Sequence, residues 1–470
     1  MAAANTQAFT AYGWTVCLWV LVTSFQYGYH ISALNQIQAV LTCRGSDPEN
    51  EIPSHYGLPT CIPMSEATFS LVTSVYTVGG LLGSLFANVV MDRWGRKGAV
   101  RVSAATFTVG SAVMGVASTL SALILGRALV GVGAGVGLCV GPIYISEIAP
   151  PKIQGAVGVL TQFAIVVGIM ITQAMGLQLA TPHEWRTVLL FSSALCIVQL
   201  LASPLIVESP SWLHRHGLLQ EKAAASRKLW TLSQAPRRLP ESGDSQDPLL
   251  ADLEADEEDD DTKDAEEHQA AVSLPQLLTA PELRKPLVIV CFAMLCQQLS
   301  GVNAVLYYSN DILSKALPDL GPYISLGITI VNVFMTFPPI FLIERLGRKT
   351  LLSISAGGAI LSLVGVGLGL NAGVVALASV AILTFVASFA IGIGPVPFVM
   401  IPEVSPKHAV SALSSVGLSL NWIANFLVGL VFLPLRHLLA HGDPNKEGRI
   451  FYLFAAMLAF CTFVLFRFYR

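Results

Sequence analysis

The sequence predicts an all-α membrane protein, with twelve transmembrane helices in two pseudo-symmetric six-helix halves. Three observations carry that expectation. Only 12% of the 470 residues are charged and 53% are hydrophobic, whereas ordinary soluble domains carry about 25% charge. Apolar runs of bilayer-crossing length recur twelve times along the chain. Two short motifs reappear at nearly one spacing, as a duplicated half requires. The charges are also unevenly spread: 14 of the 30 acidic residues lie between Glu241 and Glu267, which leaves the rest more apolar still. A soluble fold could not hide that much apolar surface. A net charge of −3 offers no basic field, so nucleic acid is not expected as a partner.

A helix needs about 20 apolar residues to cross a bilayer. In order, the runs fall at 12–34, 67–90, 99–118, 121–145, 155–177 and 187–206, then at 286–308, 321–343, 350–370, 375–401, 411–434 and 449–467. The first follows a short polar stretch and precedes no small-residue cleavage site, so it reads as a retained helix rather than a signal peptide. The tenth contains Gly392, Gly394, Pro395 and Pro397, which make it interruptible where neighbouring helices re-satisfy the freed backbone groups. One set of connections holds Arg93, Arg96, Lys97, Arg101, Lys152, Arg345, Arg348, Lys349 and Lys407; the opposite set holds Arg44, Arg186, Lys315, Arg436, Lys446 and Arg449. The first set is richer in positive charge, so it and both termini are expected to be cytoplasmic.

The halves are related by repetition. Asp92-Arg93-Trp94-Gly95-Arg96-Lys97 reappears as Glu344-Arg345-Leu346-Gly347-Arg348-Lys349, 252 residues later, and Glu147-Ile148-Ala149-Pro150 reappears as Glu403-Val404-Ser405-Pro406, 256 later. Such duplication is the sequence sign of a transporter that rocks one half against the other around a central site. The expected division is residues 1–207, a linker at 208–285, and residues 286–470. The linker opens with Trp212, Leu213, Leu218, Leu219 and Leu229, suited to short amphipathic helices against the bundle floor. Residues 234–270, including the run from Asp256 to Asp261, have too few apolar side chains to fold. That tract reads as a solvated tether, with a docking site for a protein partner as the alternative.

Gly79-Gly80-Leu81-Leu82-Gly83-Ser84, leading into Asp92–Lys97, resembles the signature loop of the major facilitator superfamily. The string Gln297-Gln298-Leu299-Ser300-Gly301-Val302-Asn303-Ala304-Val305-Leu306-Tyr307-Tyr308-Ser309 resembles the seventh helix of sugar porters. Pro142–Glu147, Glu208-Ser209-Pro210 and Asn421-Trp422-Ile423-Ala424-Asn425-Phe426 fit the same pattern. The chain is similar to facilitative hexose transporters and, among these, to fungal members associated with vacuolar sorting. The resemblance implies a sugar site between the halves, with Gln162, Gln297, Gln298, Asn303, Asn332 and Asn425 at the family's sugar-contacting amide positions. The chemistry agrees, because sugar hydroxyls donate and accept, and neutral amides do both. Amides in a bilayer are costly unless they face a cavity; hydrogen-bonded glue between helices is the competing role. Tyr307, Tyr308 and above all Trp422 would supply apolar faces to the sugar ring.

The departures from the family pattern are specific. Ala390 stands where glucose carriers place a sugar-bonding Glu, and Phe398 where they place a Trp. A lost carboxylate partner costs a hydroxyl about 1.5–3 kcal/mol, which argues against glucose as the best substrate. Proton-linked porters carry an Asp after Gly-Tyr on the first helix, facing an Arg on the fourth; here the residues are Gly28-Tyr29-His30 and Arg127. The missing carboxylate favours facilitated diffusion. His30 is then either a neutral packing residue or, since His titrates at about 6.5 unperturbed, a coupling group.

Gate arginines are missing too. The family has an Arg seven residues after each Glu of its Glu-x-x-Pro motifs, and here those positions hold Gln154 and Val410. The gate acids Asp92, Glu147, Glu344 and Glu403 are therefore expected to find partners among Arg93, Arg96, Arg345 and Arg348 alone, weakening closure on the cytoplasmic side. Cys43 and Cys61 share the first exterior loop, which leaves open whether they form a disulfide in an oxidising lumen. Nothing resembles a P-loop, a metal cluster or a nucleophile triad, so no cofactor, metal or enzymatic activity is expected. The expected function is transmembrane movement of a hexose-like sugar by alternating access, as a monomer in the plasma membrane or a vacuolar or other endomembrane. The alternatives are a sugar sensor or trafficking protein, and proton-coupled transport through His30.

Overall fold

The computed structural model describes residues 8–34, 36–43, 57–231, 272, 274–302, 321–440 and 446–469. Its helices are α1 (Ala11–Ser32), α2 (Gln38–Leu41), α3 (Glu66–Gly115), α4 (Leu120–Ile148), α5 (Gln154–Leu179), α6 (Trp185–Ala202), α7 (Pro210–Arg215) and α8 (Leu219–Leu229). They continue as α9 (Leu274–Thr279), α10 (Arg284–Leu299), α11 (Gly321–Leu346), α12 (Arg348–Asn371), α13 (Val375–Ile391), α14 (Val396–Val404), α15 (Val410–Ala440) and α16 (Arg449–Phe468). Several begin where a hydroxyl can accept from an otherwise unpaired N–H of the first turn. Thr10 caps α1, Ser65 caps α3, Thr119 caps α4 and Ser209 caps α7.

Among the described residues nine stretches are long and apolar enough to cross a membrane. The first of them, Leu71–Gly115, is 45 residues long and crosses twice, because α3 turns at Gly95. That glycine has φ 74°, and its repeat counterpart Gly347 has φ 80°; only glycine takes this left-handed conformation without steric cost. The second and third expected spans are thus one helix broken at the loop. With α1 and α10 the set of twelve is complete. The tenth span breaks where expected, between α13 and α14. Large apolar side chains such as Phe86, Leu201, Phe341, Leu361 and Phe463 stand exposed around the bundle, where lipid would cover them.

The duplication is visible in three dimensions. Arg96, just after Gly95, pairs with Glu147 at 2.8 Å, and Arg348, just after Gly347, pairs with Glu403 at 2.6 Å. At the same end Ala8–Phe9 forms a two-stranded antiparallel ribbon with Trp230–Thr231. Of the linker's apolar residues, Leu213 and Leu229 are buried against the bundle while Leu218 and Leu219 remain exposed. The acidic tract at 234–270 lies outside the described residues. At the opposite end Cys43 and Cys61 form a disulfide, which the sequence had left open. Arg186 and Trp185 hold the same loop, donating to the carbonyls of Pro59 and Thr60 at 2.8 and 2.7 Å.

Candidate functional site

The break between α13 and α14 exposes a backbone carbonyl inside the bundle, and a chain of amides is built onto it. Gln297 Nε2 donates to Gly394 O at 2.9 Å, Asn421 Nδ2 donates to Gln297 Oε1 at 3.0 Å, and Gln298 Nε2 donates to Asn421 Oδ1 at 3.2 Å. Gln297 and Gln298 lie at the end of α10, and Asn421 lies on α15. Gln162 arrives from the other half on α5, its Nε2 3.4 Å from where a Cβ on Gly394 would stand. All four amide side chains are buried. Each can donate and accept, so a sugar hydroxyl can insert into the chain without leaving a group unpaired.

Of the sequence-derived candidates, Gln162, Gln297 and Gln298 are therefore brought together. Asn421 is the residue that sequence reasoning passed over. Its signal was present, since Asn421 and Asn425 are four residues apart and share a helix face. Asn425 is half-buried on that face. Asn332 on α11 stays out of the amide chain; its Oδ1 is buried with no hydrogen-bond partner among the described residues. Asn303, Tyr307 and Tyr308 lie outside the described residues. Trp422 is buried in an aromatic cluster that joins the halves, edge-on to Tyr27 at 5.7 Å and Tyr76 at 5.6 Å. It fits there because Gly80 offers no side chain; a Cβ would overlap the indole. Ala390 and Phe398 are both buried in apolar packing beside the break.

His30 sits apart from the amides, inside the first half. Its Nε2 meets Ser192 Oγ at 2.7 Å and Ser111 Oγ at 3.0 Å, and Ser192 donates to Gln26 Oε1 at 2.6 Å. Arg127 reaches the backbone carbonyl of His30 at 2.8 Å rather than its ring, and lies 4.5 Å from the Tyr76 ring centroid. The two residues are adjacent, but their side chains do not form a charge pair.

At the end that carries the repeated loops, the acids have more partners than arginines. Glu147 takes a fork of bonds from Arg96 and another from Ser209 Oγ at 2.5 Å. Glu208, not assigned from sequence, accepts from the N–H groups of Arg96 and Lys97 at 2.9 and 3.1 Å. Burial pushes its carboxyl above the ordinary range, while the N–H groups of Ser209, Lys97 and Arg96 pull the other way. Arg348 holds Glu344 and Glu403 together. Arg93 lies over its neighbour Trp94 and Arg345 is exposed. The expectation that arginines alone would pair these acids is corrected at Glu147, through Ser209, and at Glu344. Its Oε1 also accepts from the backbone N–H of Gly155 at 2.7 Å and of Ala156 at 3.2 Å. Those groups open α5 in the opposite half. The first N–H groups of a helix have no intrahelical partner and carry partial positive charge, which makes them a substitute for a cation.

Comparison with known proteins agrees with this architecture. The family described as "Sugar (and other) transporter" matches residues 16–470. A probable metabolite transport protein of Saccharomyces cerevisiae is 33% identical over 457 residues, covering 94% of this chain and 89% of that protein. Human facilitated glucose transporter member 3 is 32% identical over 470 residues, covering 96% and 87% respectively. In fold, the proton:xylose symporter XylE bound to 6-bromo-6-deoxy-D-glucose superposes with a TM-score of 0.79 at 19% identity, covering 98% of this chain and 96% of that one. An inward-open form of XylE from E. coli gives 0.63 at 20% identity, with 97% and 96% covered. From the duplicated twelve-helix bundle, the buried amides where its halves meet, and the match along nearly its whole length, this chain belongs to the sugar transporter family and is a membrane carrier rather than an enzyme.

Proposed function

We propose that this protein moves a hexose-like sugar down its gradient by alternating access, without ion coupling. The observation that carries this reading is the amide chain from Gly394 through Gln297 and Asn421 to Gln298, with Gln162 facing it from the other half. A site made of neutral amides at the junction of two moving halves suits an uncharged polyol. Ala390 and Phe398 leave the α13–α14 side without a hydrogen-bonding side chain, so a sugar that presents an apolar edge there fits better than glucose. Asn332, Asn425 and Trp422 border this site, with Asn303 its further family position. The division into residues 1–207, 208–285 and 286–470, a monomeric assembly, and a cytoplasmic placement of the loops at Asp92–Lys97 and Glu344–Lys349 with both termini complete the proposal. The membrane is the plasma membrane or a vacuolar or other endomembrane, and the acidic tract is a tether or a partner's docking site.

The absence of coupling is supported by the surroundings of His30. Its Nε2 is already engaged by two serine hydroxyls, and its contact with Arg127 runs through the backbone. In proteoliposomes, sugar uptake should be the same with and without a pH gradient, and should neither acidify nor alkalinise the interior. A sugar-dependent proton current that vanishes in His30→Ala would establish the coupled mechanism instead. Binding of sugar without any flux would favour a sensor.

A further inference from the structure

We infer that the cavity on the outer side of the first half, between α3 and the end of α6, holds the headgroup phosphate of an anionic phospholipid, with Arg101 as its cation. The cavity measures about 480 Å³ and is lined by Arg101, Val102, Ala105, Leu200, Ser203 and Pro204. One cation among mostly apolar residues suits a ligand with a single charged head and an apolar body. Arg101, Ala105 and Pro204 are exposed, as are Leu201 and Leu205 beside them, so the cavity opens where lipid surrounds the bundle. Ala105 and Val109 follow Arg101 at four and eight residues on one exposed helix face, which gives an acyl chain a path away from the head.

The charges around the cavity lack a counter-ion. Arg101 Nε donates to Ser203 Oγ, and its guanidinium makes no other hydrogen bond among the described residues, so both Nη groups can donate to an anion. Lys97 stands one turn earlier, and its charge and that of Arg101 repel. Like charges four residues apart destabilise a helix, and a cation in the first turn after Gly95 also opposes the helix dipole. The acid that faces Lys97, Glu208, is already engaged by the backbone N–H groups of Arg96, Lys97 and Ser209 at 2.9, 3.1 and 2.8 Å. A phosphate beside the two cations relieves both penalties. The second half has no such arrangement: 252 residues later Ser353 stands in place of Arg101 and donates to Lys349 O at 2.8 Å, while Lys349 Nζ lies 5.9 Å from the Phe466 ring centroid.

The cavity shares no lining residue with the amide chain, and its test uses neither sugar nor flux, so a wrong substrate leaves it untouched. The purified full-length chain in uncharged detergent is titrated with dioleoylphosphatidylglycerol, and bound lipid is counted by native mass spectrometry. One lipid should bind more tightly than the rest. Dioleoylphosphatidylcholine, whose ammonium group the two cations repel, should not replace it. Arg101→Gln should weaken that lipid about tenfold, equivalent to about 1.4 kcal/mol. Ala105→Trp, which fills the cavity from an exposed position and keeps the charge, should weaken it as much. Arg467→Gln, which removes an exposed arginine at the same end of the bundle, should leave it unchanged. Inorganic phosphate should compete poorly, since it places nothing against Val102 and Leu200. Equal binding of the two lipids, unchanged binding in Arg101→Gln or Ala105→Trp, an equal loss in Arg467→Gln, or full displacement by phosphate overturns the assignment.

Discussion

Arg96→Leu should destabilise the folded protein by about 3–5 kcal/mol, because it strips the partner from a buried carboxylate. The Arg96 side chain is fully buried and grips Glu147 through Nε at 2.9 Å and Nη2 at 2.8 Å. Its loss would leave Glu147, itself 12% exposed, with Ser209 Oγ as its remaining close partner. The repeat-related Arg348→Leu provides the comparison. That pair is the same in type but 21% exposed on both sides, so water screens the acids, and a cost of about 1 kcal/mol is expected. Unfolding titrated with SDS in mixed micelles would measure both. Equal losses would show that burial is not what separates the two pairs.

Asn421→Leu should weaken sugar binding by about 3 kcal/mol, more than a hundredfold, and more than Gln298→Ala at about 1–3 kcal/mol. Asn421 stands in the middle of the amide chain: it donates to Gln297, accepts from Gln298, and lies 3.4 Å from Met294 O. Leu approximates its size, so the loss is one of hydrogen bonding rather than volume. Removing the central amide leaves Gln297 Oε1 and Gln298 Nε2 unmatched and free to turn away from the sugar. Groups that act as one network are non-additive, so Gln298→Ala should add little in the Asn421→Leu background. Equilibrium binding of labelled sugar to purified, monodisperse protein would test this. If Asn421→Leu binds as the parent does, the amide chain is not the sugar site.

Much of the candidate site was legible because its residues are unusual where they stand. Uncharged amides in apolar spans have few roles, and Gln162 and Gln297 meet at one backbone break while Gln298 joins them through Asn421. Asn332 shows the limit of that logic, since the same residue type on a neighbouring span takes no part in the amide chain. Trp422 shows another: an aromatic beside the site packs against Tyr27 and Tyr76 to join the halves, and nothing in its neighbouring sequence distinguishes that from facing a ligand. The gate was misread for a different reason. Counting side-chain charges offered Glu344 arginines alone, and Arg348 does hold it, whereas the backbone N–H groups of Gly155 and Ala156 receive it as well.

By itself the sequence determined whatever depends on local pattern or on repetition. Span lengths follow from hydropathy, the turn at Gly95 and Gly347 from a residue that tolerates positive φ, and the pool of acids and arginines at that end from motifs written twice, while the pairs Arg96–Glu147 and Arg348–Glu403 within that pool came from the fold. The tertiary structure alone decided what meets across the halves: Glu344 on the start of α5, Asn421 between two glutamines, Trp422 against Gly80, and His30 between Ser111 and Ser192. Helix periodicity fixes which residues share a face, but not how far one helix slides or turns against another. A shift of a single residue along either helix would hand each of these contacts to a different partner, and the N–H groups that open a helix carry no residue letter to announce them.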